Sequence, residues 1–384
     1  MSTDVDVDVD LLLETVGDFA TDAGDRLFGQ ESPDGDLAAI DDLLADAAGI
    51  GLLADVDAER GHWGVWGAHA DDEGARLSLA VLRRLGRVCA GLATAVHAQG
   101  LGVRLLGAST PTPECPAGTR LAAAFCPPYG LALDPRTAGD GMVLDGDRLT
   151  GTARFALGAG IPGAVVLSVR ATGPGAGTDD AWAVVCLPVD TPGLRLVPAG
   201  RRIGLRATTM SDVVADGVTV TGDALRDAGR PATDRLRTTV ALDWLGQAAV
   251  ALGCAEQAVA VARDYTRSRV QGGVPISEHA AIRLLLGRAE HDAAVVAAVL
   301  DRHAGTPMRD LDPATLLRWA VDARLAAGEH AGRAVTDALQ TLGGYGYMDE
   351  YGLSKRLRDV TALRVLHGGP DQLLLARDDL GATS

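Results

Sequence analysis

The sequence predicts an α+β chain built in three successive parts, helices first, strands second and helices again last. Three observations carry that prediction. Apolar residues recur at helical spacing up to about Leu106; from about Arg120 to Asp227 they form short β-branched runs divided by turn residues; from about Arg235 long helical stripes return. Strands and helices do not alternate, which argues against a βαβ dinucleotide-binding sheet.

Each part has its own residues in support. Leu43, Leu44, Ala47 and Ile50 form one helical stripe, closed by Gly49 and Gly51, and Leu79, Val81, Leu82, Leu85 and Val88 form a second. Strands are predicted at Ala164 to Val169, Ala181 to Leu187 and Val218 to Val220, with turns at Asp145-Gly146-Asp147 and from Thr172 to Gly177, giving a compact antiparallel β domain. In the last part Leu242, Leu245, Ala249, Leu252, Val259 and Ala262 share one helix face. Asp312 and Pro313 are an N-cap and first-turn pair, opening a helix that runs towards Gly343 and Gly344. The expected domains are 1–119, 120–228 and 229–384.

Composition narrows the function classes. Among 384 residues, 35 basic side chains face 51 acidic ones for a net charge of −16, which argues against a nucleic-acid partner. Aromatic residues make up 4%, so Ala, Val and Leu must build the core. The N-terminal Val/Asp alternation has neither the basic nor the apolar region of a signal peptide, and no uninterrupted apolar run reaches the roughly 18 residues of a membrane span. Cys89, Cys115, Cys126, Cys186 and Cys254 lack zinc-ligand spacing and read as small buried hydrophobes in a reducing cytoplasm. No metal site is expected: His62 and His69 flank Trp63 and Trp66 in what reads as a loop lid, and Asp4, Asp6, Asp8 and Asp10 read as an acidic tail.

The most specific segment is Gln340-Thr-Leu-Gly-Gly-Tyr-Gly-Tyr347, followed by Leu353-Ser-Lys-Arg-Leu-Arg-Asp359 and Leu366-His-Gly-Gly-Pro-Asp371. This run resembles the C-terminal signature of the acyl-CoA dehydrogenase family. The run from Tyr265 to Ile276 is similar to a second element of that family, Ile203 to Thr209 with Asp216 to Val220 to a third, and Ala48 to Leu53 to a fourth. The resemblance implies an N-terminal helical domain, a central antiparallel β-barrel and a C-terminal four-helix bundle with FAD between barrel and bundle. It also implies a homodimer or homotetramer, with a hetero-oligomer as the alternative. Carried over by position, Arg269 would meet the FAD pyrophosphate of a partner subunit, Gln340, Gly343 and Gly344 would line its adenosine-diphosphate half, and Gly369 and Asp371 would lie near its adenine.

In the family a glutamate removes the α-proton of an acyl thioester while hydride leaves the β-carbon for flavin. His367 stands at the position of that glutamate. Asp243, in the apolar stretch Val240 to Leu245, stands at the position some relatives use instead, and burying a carboxylate there requires a partner or a purpose; the alternative is a solvated Asp243 paired with Arg237. Phe155 stands where an aromatic would stack on the flavin, and Cys126 to Asp134 corresponds to the flavin loop. The implied function is FAD-dependent α,β-desaturation of an acyl thioester on coenzyme A or a carrier protein. The alternatives are a reduced-flavin-dependent monooxygenase on the same fold and a catalytically degenerate partner subunit.

Overall fold

The computed structural model describes residues 9–27, 37–57, 64–67, 69–107, 111–125, 141–158, 160–172 and 182–382. The expected flavin loop Cys126 to Asp134, the acidic tail at Asp4, Asp6 and Asp8, and the His62 and Trp63 half of the loop lid lie outside the described residues.

The chain opens with α1 (Val9–Leu27), α2 (Leu37–Gly49), α3 (His69–Glu73), α4 (Arg76–Val88) and α5 (Ala90–Leu106). Strands follow: β1 (Leu121–Phe125), β2 (Val143–Asp145), β3 (Arg148–Gly158), β4 (Ala164–Thr172), β5 (Trp182–Pro188), β6 (Leu194–Pro198), β7 (Thr209–Thr219) and β8 (Leu225–Ala228). The last part holds α6 (Arg230–Ser268), α7 (Ala280–Asp301), α8 (Pro313–Ala326), α9 (Gly332–Thr341), α10 (Leu353–Val365) and α11 (Pro370–Ala382). Asp312 caps α8 as expected, accepting hydrogen bonds from the Ala314 and Thr315 amides. One π-helical turn, Ala327–Ala331, joins α8 to α9.

The strands run in the order β6-β7-β3-β1-β4-β5-β8, with β2 also paired to β3 and β4. Most pairs are antiparallel, but β1 and β2 lie parallel to β4, so the sheet is mixed where the sequence suggested a purely antiparallel one. The reason is geometric. β3 and β4 run in opposite directions with a one-strand gap between them, and β1 and β2 fill that gap end to end. Each is antiparallel to β3 and therefore parallel to β4.

Both faces of the inner strands are buried, which accounts for their continuous apolar runs. Leu121, Ala123, Phe125, Val166, Val184 and Cys186 join the large core shared with the helices. Their neighbours Ala122, Ala124, Val165, Val185 and Leu187 fill a second core inside the sheet. Cys89, Cys115, Cys186 and Cys254 are free thiols buried in these interiors.

The 39-residue α6 is the axis of the helical part and packs against α4, α5, α7, α8, α9 and α10. It is long and apolar enough to cross a membrane by composition, yet 78% of that window is buried, as befits a core helix. Two glycines set its distance from α4. A Cβ at Gly253 would lie 2.1 Å from the Arg83 carbonyl oxygen, and one at Gly86 would lie 2.6 Å from that of Val250.

Candidate active site at the junction of sheet and helices

From Thr239 to Ala255 every residue of α6 is buried, so a carboxylate in that stretch has only protein to face. Asp243 is 1% exposed. Its Oδ1 lies 3.1 Å from His97 Nε2 on α5, and its Oδ2 lies 2.8 Å from His367 Nδ1. The two candidates that the sequence offered separately are therefore in contact. The alternative of a solvated Asp243 paired with Arg237 does not hold, because Arg237 pairs with Asp234 on the helix surface.

The loop after α10 presents His367 from a strained backbone, at φ +51°. Side chains from two other helices hold that loop. Trp244 Nε1 donates to the His367 carbonyl at 3.0 Å, and the buried Arg324 of α8 donates to the carbonyls of Leu363 and Leu366. Arg324 thus satisfies carbonyls that the end of α10 leaves open. On the sheet side, His367 Nε2 donates to the Phe155 carbonyl at 3.1 Å, and the Phe125 ring meets the imidazole edge-on at 5.5 Å.

Phe155 itself sits at φ +57° beside an irregularity in the β3–β7 register between Ala153 and Ala156. Bulges of this kind re-aim the chain next to functional sites. Phe155 thus reaches His367 through its carbonyl, while its half-buried ring packs against the helical core.

These contacts define protonation. A carbonyl and a carboxylate only accept hydrogen bonds, so His367 donates from both nitrogens and is an imidazolium. Burial alone would push the Asp243 carboxyl up, but the facing His367 charge and the two imidazole hydrogen bonds outweigh it and hold the group well below the usual carboxylate range. Burial lowers His367, yet the Asp243 charge prevails and raises it above an ordinary histidine. Arg324 is brought down to about 10 by burial, against the pull of Asp243.

The pair therefore shapes stability against pH. Asp243 is depressed in the folded state, so its contribution is complete above about pH 4 and lost as the pH falls below that value. His367 is raised, so its contribution is complete below about pH 6.5 and lost as the pH climbs through its folded value. Urea unfolding should show wild type losing stability on the alkaline side relative to His367→Gln; parallel curves for the two proteins would reject the ion pair.

The expected cofactor residues form a second group. Arg269, the C-cap of α6, is exposed and lies over the Tyr345 ring at 5.8 Å, and Tyr265 packs against Tyr345 and Tyr351. The Tyr265 to Ile276 block and the glycine turn are thereby brought together. Gln340 is exposed at the end of α9. Gly343 adopts φ +58°, and a Cβ on either Gly343 or Gly344 would meet nothing within 4 Å, so the turn is open to a ligand. Gly369 and Asp371 lie just beyond His367, where α11 begins, and the Gly369 amide donates to the Gln372 side chain.

The bundle side of the junction also suits a polar ring system. Gln247, one turn beyond Asp243 on the same face of α6, is 1% exposed, and neither polar atom of its amide has a partner among the described residues.

Sequence reasoning missed three contributors. His97 lies on a helix buried nearly all round, where an imidazole must find a polar partner; that requirement was the available signal. Arg324 is fully buried on α8. Trp66 is not part of the expected lid: it is 0% exposed, and its indole donates to His97 Nδ1 at 2.8 Å, so it is a plug in the core.

Comparisons with known proteins agree with this layout. A sequence profile of the acyl-CoA dehydrogenase C-terminal domain matches residues 236–377. A cyclohex-1-ene-1-carbonyl-CoA dehydrogenase from Geobacter metallireducens is 28% identical over 313 residues, covering 78% of this chain and 81% of its own. Among solved structures, butyryl-CoA dehydrogenase from Megasphaera elsdenii superposes with a TM-score of 0.74 at 20% identity over 100% of both chains. A prolyl acyl carrier protein oxidase superposes with a TM-score of 0.77 at 18% identity, covering 97% of this chain and 98% of its own.

Proposed function

We propose that the chain is a member of the acyl-CoA dehydrogenase family, to which the matched C-terminal domain and the sequence relatives point, and that it is an FAD-dependent enzyme that desaturates an acyl thioester between its α- and β-carbons, with the Asp243–His367 pair as its base. The observation that carries this reading is the 2.8 Å contact between those two side chains at the sheet–helix junction. The thioester is carried on coenzyme A or on a carrier protein, and the working compartment is the cytoplasm.

Bound at the junction, FAD supplies the acceptor for the β-hydride. The protein manages the α-proton. His367 must first lose its Nε2 proton and leave the Phe155 carbonyl; its Nε2 then takes the proton from the α-carbon. Asp243, on the far side of the ring, stabilises the imidazolium that forms. Turnover should therefore rise as the pH passes through the raised pKa of His367. Gln247 offers an unpaired amide to the cofactor ring.

The length of α6 supports an oligomer. Asp243 and Arg269 are 26 residues apart on one helix, or about 39 Å at 1.5 Å per residue. That span exceeds an extended flavin dinucleotide, so Arg269, Gln340, Gly343 and Gly344 serve the site of a second copy. Arginine suits the pyrophosphate because it offers several fixed donors.

The test is the visible spectrum of the purified holoprotein under anaerobic addition of a panel of coenzyme A and carrier-protein acyl thioesters. Loss of the oxidised flavin band with one of them is the expected result. A band that every thioester leaves unchanged would overturn the dehydrogenase reading.

A further inference from the structure

The base pair is one end of a longer chain of buried hydrogen bonds. Trp66 Nε1 donates to His97 Nδ1 at 2.8 Å, His97 Nε2 meets Asp243 at 3.1 Å, Asp243 meets His367 at 2.8 Å, and His367 reaches the Phe155 carbonyl at 3.1 Å. The five groups come from the loop before α3, from α5, from α6, from the loop before α11 and from β3. An indole N–H only donates, so His97 Nδ1 is an acceptor and its proton is on Nε2, directed at Asp243. The packing leaves this ring no alternative place: a Cβ on Gly246 would lie 2.2 Å from His97 Cε1, so only glycine beneath it admits the imidazole. Trp66, Phe155 and His367 all hold positive φ angles, at +63°, +57° and +51°, so backbone strain gathers along this chain.

We infer that His97, fixed as its Nε2–H tautomer by Trp66, is a positioning residue that sets the charge state of the Asp243–His367 pair. Fully buried between Trp66 and Asp243, it acts through Asp243. It donates one hydrogen bond to the Asp243 carboxylate and so disperses charge that would otherwise fall wholly on His367. Without that donor, Asp243 binds the His367 proton more tightly, and the imidazole is released to act as a base only at higher pH. The charged and titratable groups around His367 are Asp243 from α6, Arg324 from α8 and, through Asp243, His97 from α5. β1 and β3 present the Phe125 ring and the Phe155 carbonyl.

This inference rests on the pair being the base, and the experiment separates the two ideas. The imidazole of His367 is titrated directly by NMR in protein labelled at histidine, with His367→Gln identifying its resonance. The same preparations are assayed for thioester-dependent flavin reduction across pH. In His97→Leu the His367 titration is expected to move up by about one pH unit, the size of shift that one lost hydrogen bond to a buried carboxylate produces. The acid limb of the reduction rate should move with it. His97→Gln, whose amide nitrogen replaces Nε2 as the donor, should restore both to near wild type and also provides a folded variant if the leucine protein fails to accumulate. An unmoved His367 titration in His97→Leu, or equal impairment in both variants, would overturn the positioning role. A moved titration with an unmoved rate profile would retain the role of His97 and reject the pair as the base.

Discussion

Asp243→Asn should lower thioester-dependent turnover by about 10³- to 10⁴-fold, the scale on which a positioned acid–base group contributes, while flavin stays bound. The geometry explains why such a small change has so large an effect. An asparagine in this place can still accept from His97 through its carbonyl, but its amide nitrogen must donate to His367 Nδ1. That arrangement suits only a neutral His367 whose proton is on Nε2, the atom that faces the Phe155 carbonyl at 3.1 Å. The imidazole then holds the wrong tautomer and has no lone pair for the α-proton. Folding survives because every buried group keeps a partner. Rapid-mixing reduction of the bound flavin by its thioester, compared between wild type and Asp243→Asn, checks the result; a rate within threefold of wild type would remove Asp243 from the mechanism.

The second large effect concerns stability. Gly253→Ala should destabilise the protein by about 1–3 kcal/mol, the usual cost of overpacking a core. The added Cβ would lie 2.1 Å from the Arg83 carbonyl oxygen, and this neighbour is backbone, so α4 and α6 must move apart along a buried seam. Gly287 on α7 provides the contrast. Nothing lies within 4 Å of a Cβ there, so Gly287→Ala should stabilise by about 0.5–1 kcal/mol through helix propensity alone. Urea midpoints of both variants check the pair, and equal effects from the two substitutions would contradict the close helix contact.

Much of the architecture was legible in advance. The order of helices, strands and helices follows from hydrophobic period, and the α8 cap follows from Asp312 and Pro313. The glycine turn after α9 and the Tyr265 to Ile276 block pointed to each other as parts of one family pattern, and Arg269 does lie over Tyr345. Asp243 was suspect because a carboxylate in an apolar helix is costly, and His367 because of its place in the motif. Neither signal contained the other residue. Trp244, next to Asp243 in the chain, pins the carbonyl of His367 through its indole, a contact made across 123 positions that nothing local in the sequence announces.

What the sequence determined by itself is local: which stretches become helix or strand, where they end, and which single residues are chemically out of place. These depend on neighbours within a few positions, where periodicity and turn chemistry act. What only the tertiary structure decided is partnership and therefore charge. Asp243 meets His97 from 146 positions away and His367 from 124, and Phe155 meets His367 from 212. Whether His367 is a cation depends on which acceptors face its two nitrogens, and packing alone brings those acceptors there. The parallel pairing of β1 and β2 with β4 has the same origin, since strand direction is fixed by which gap in the sheet a strand fills and not by the residues within it.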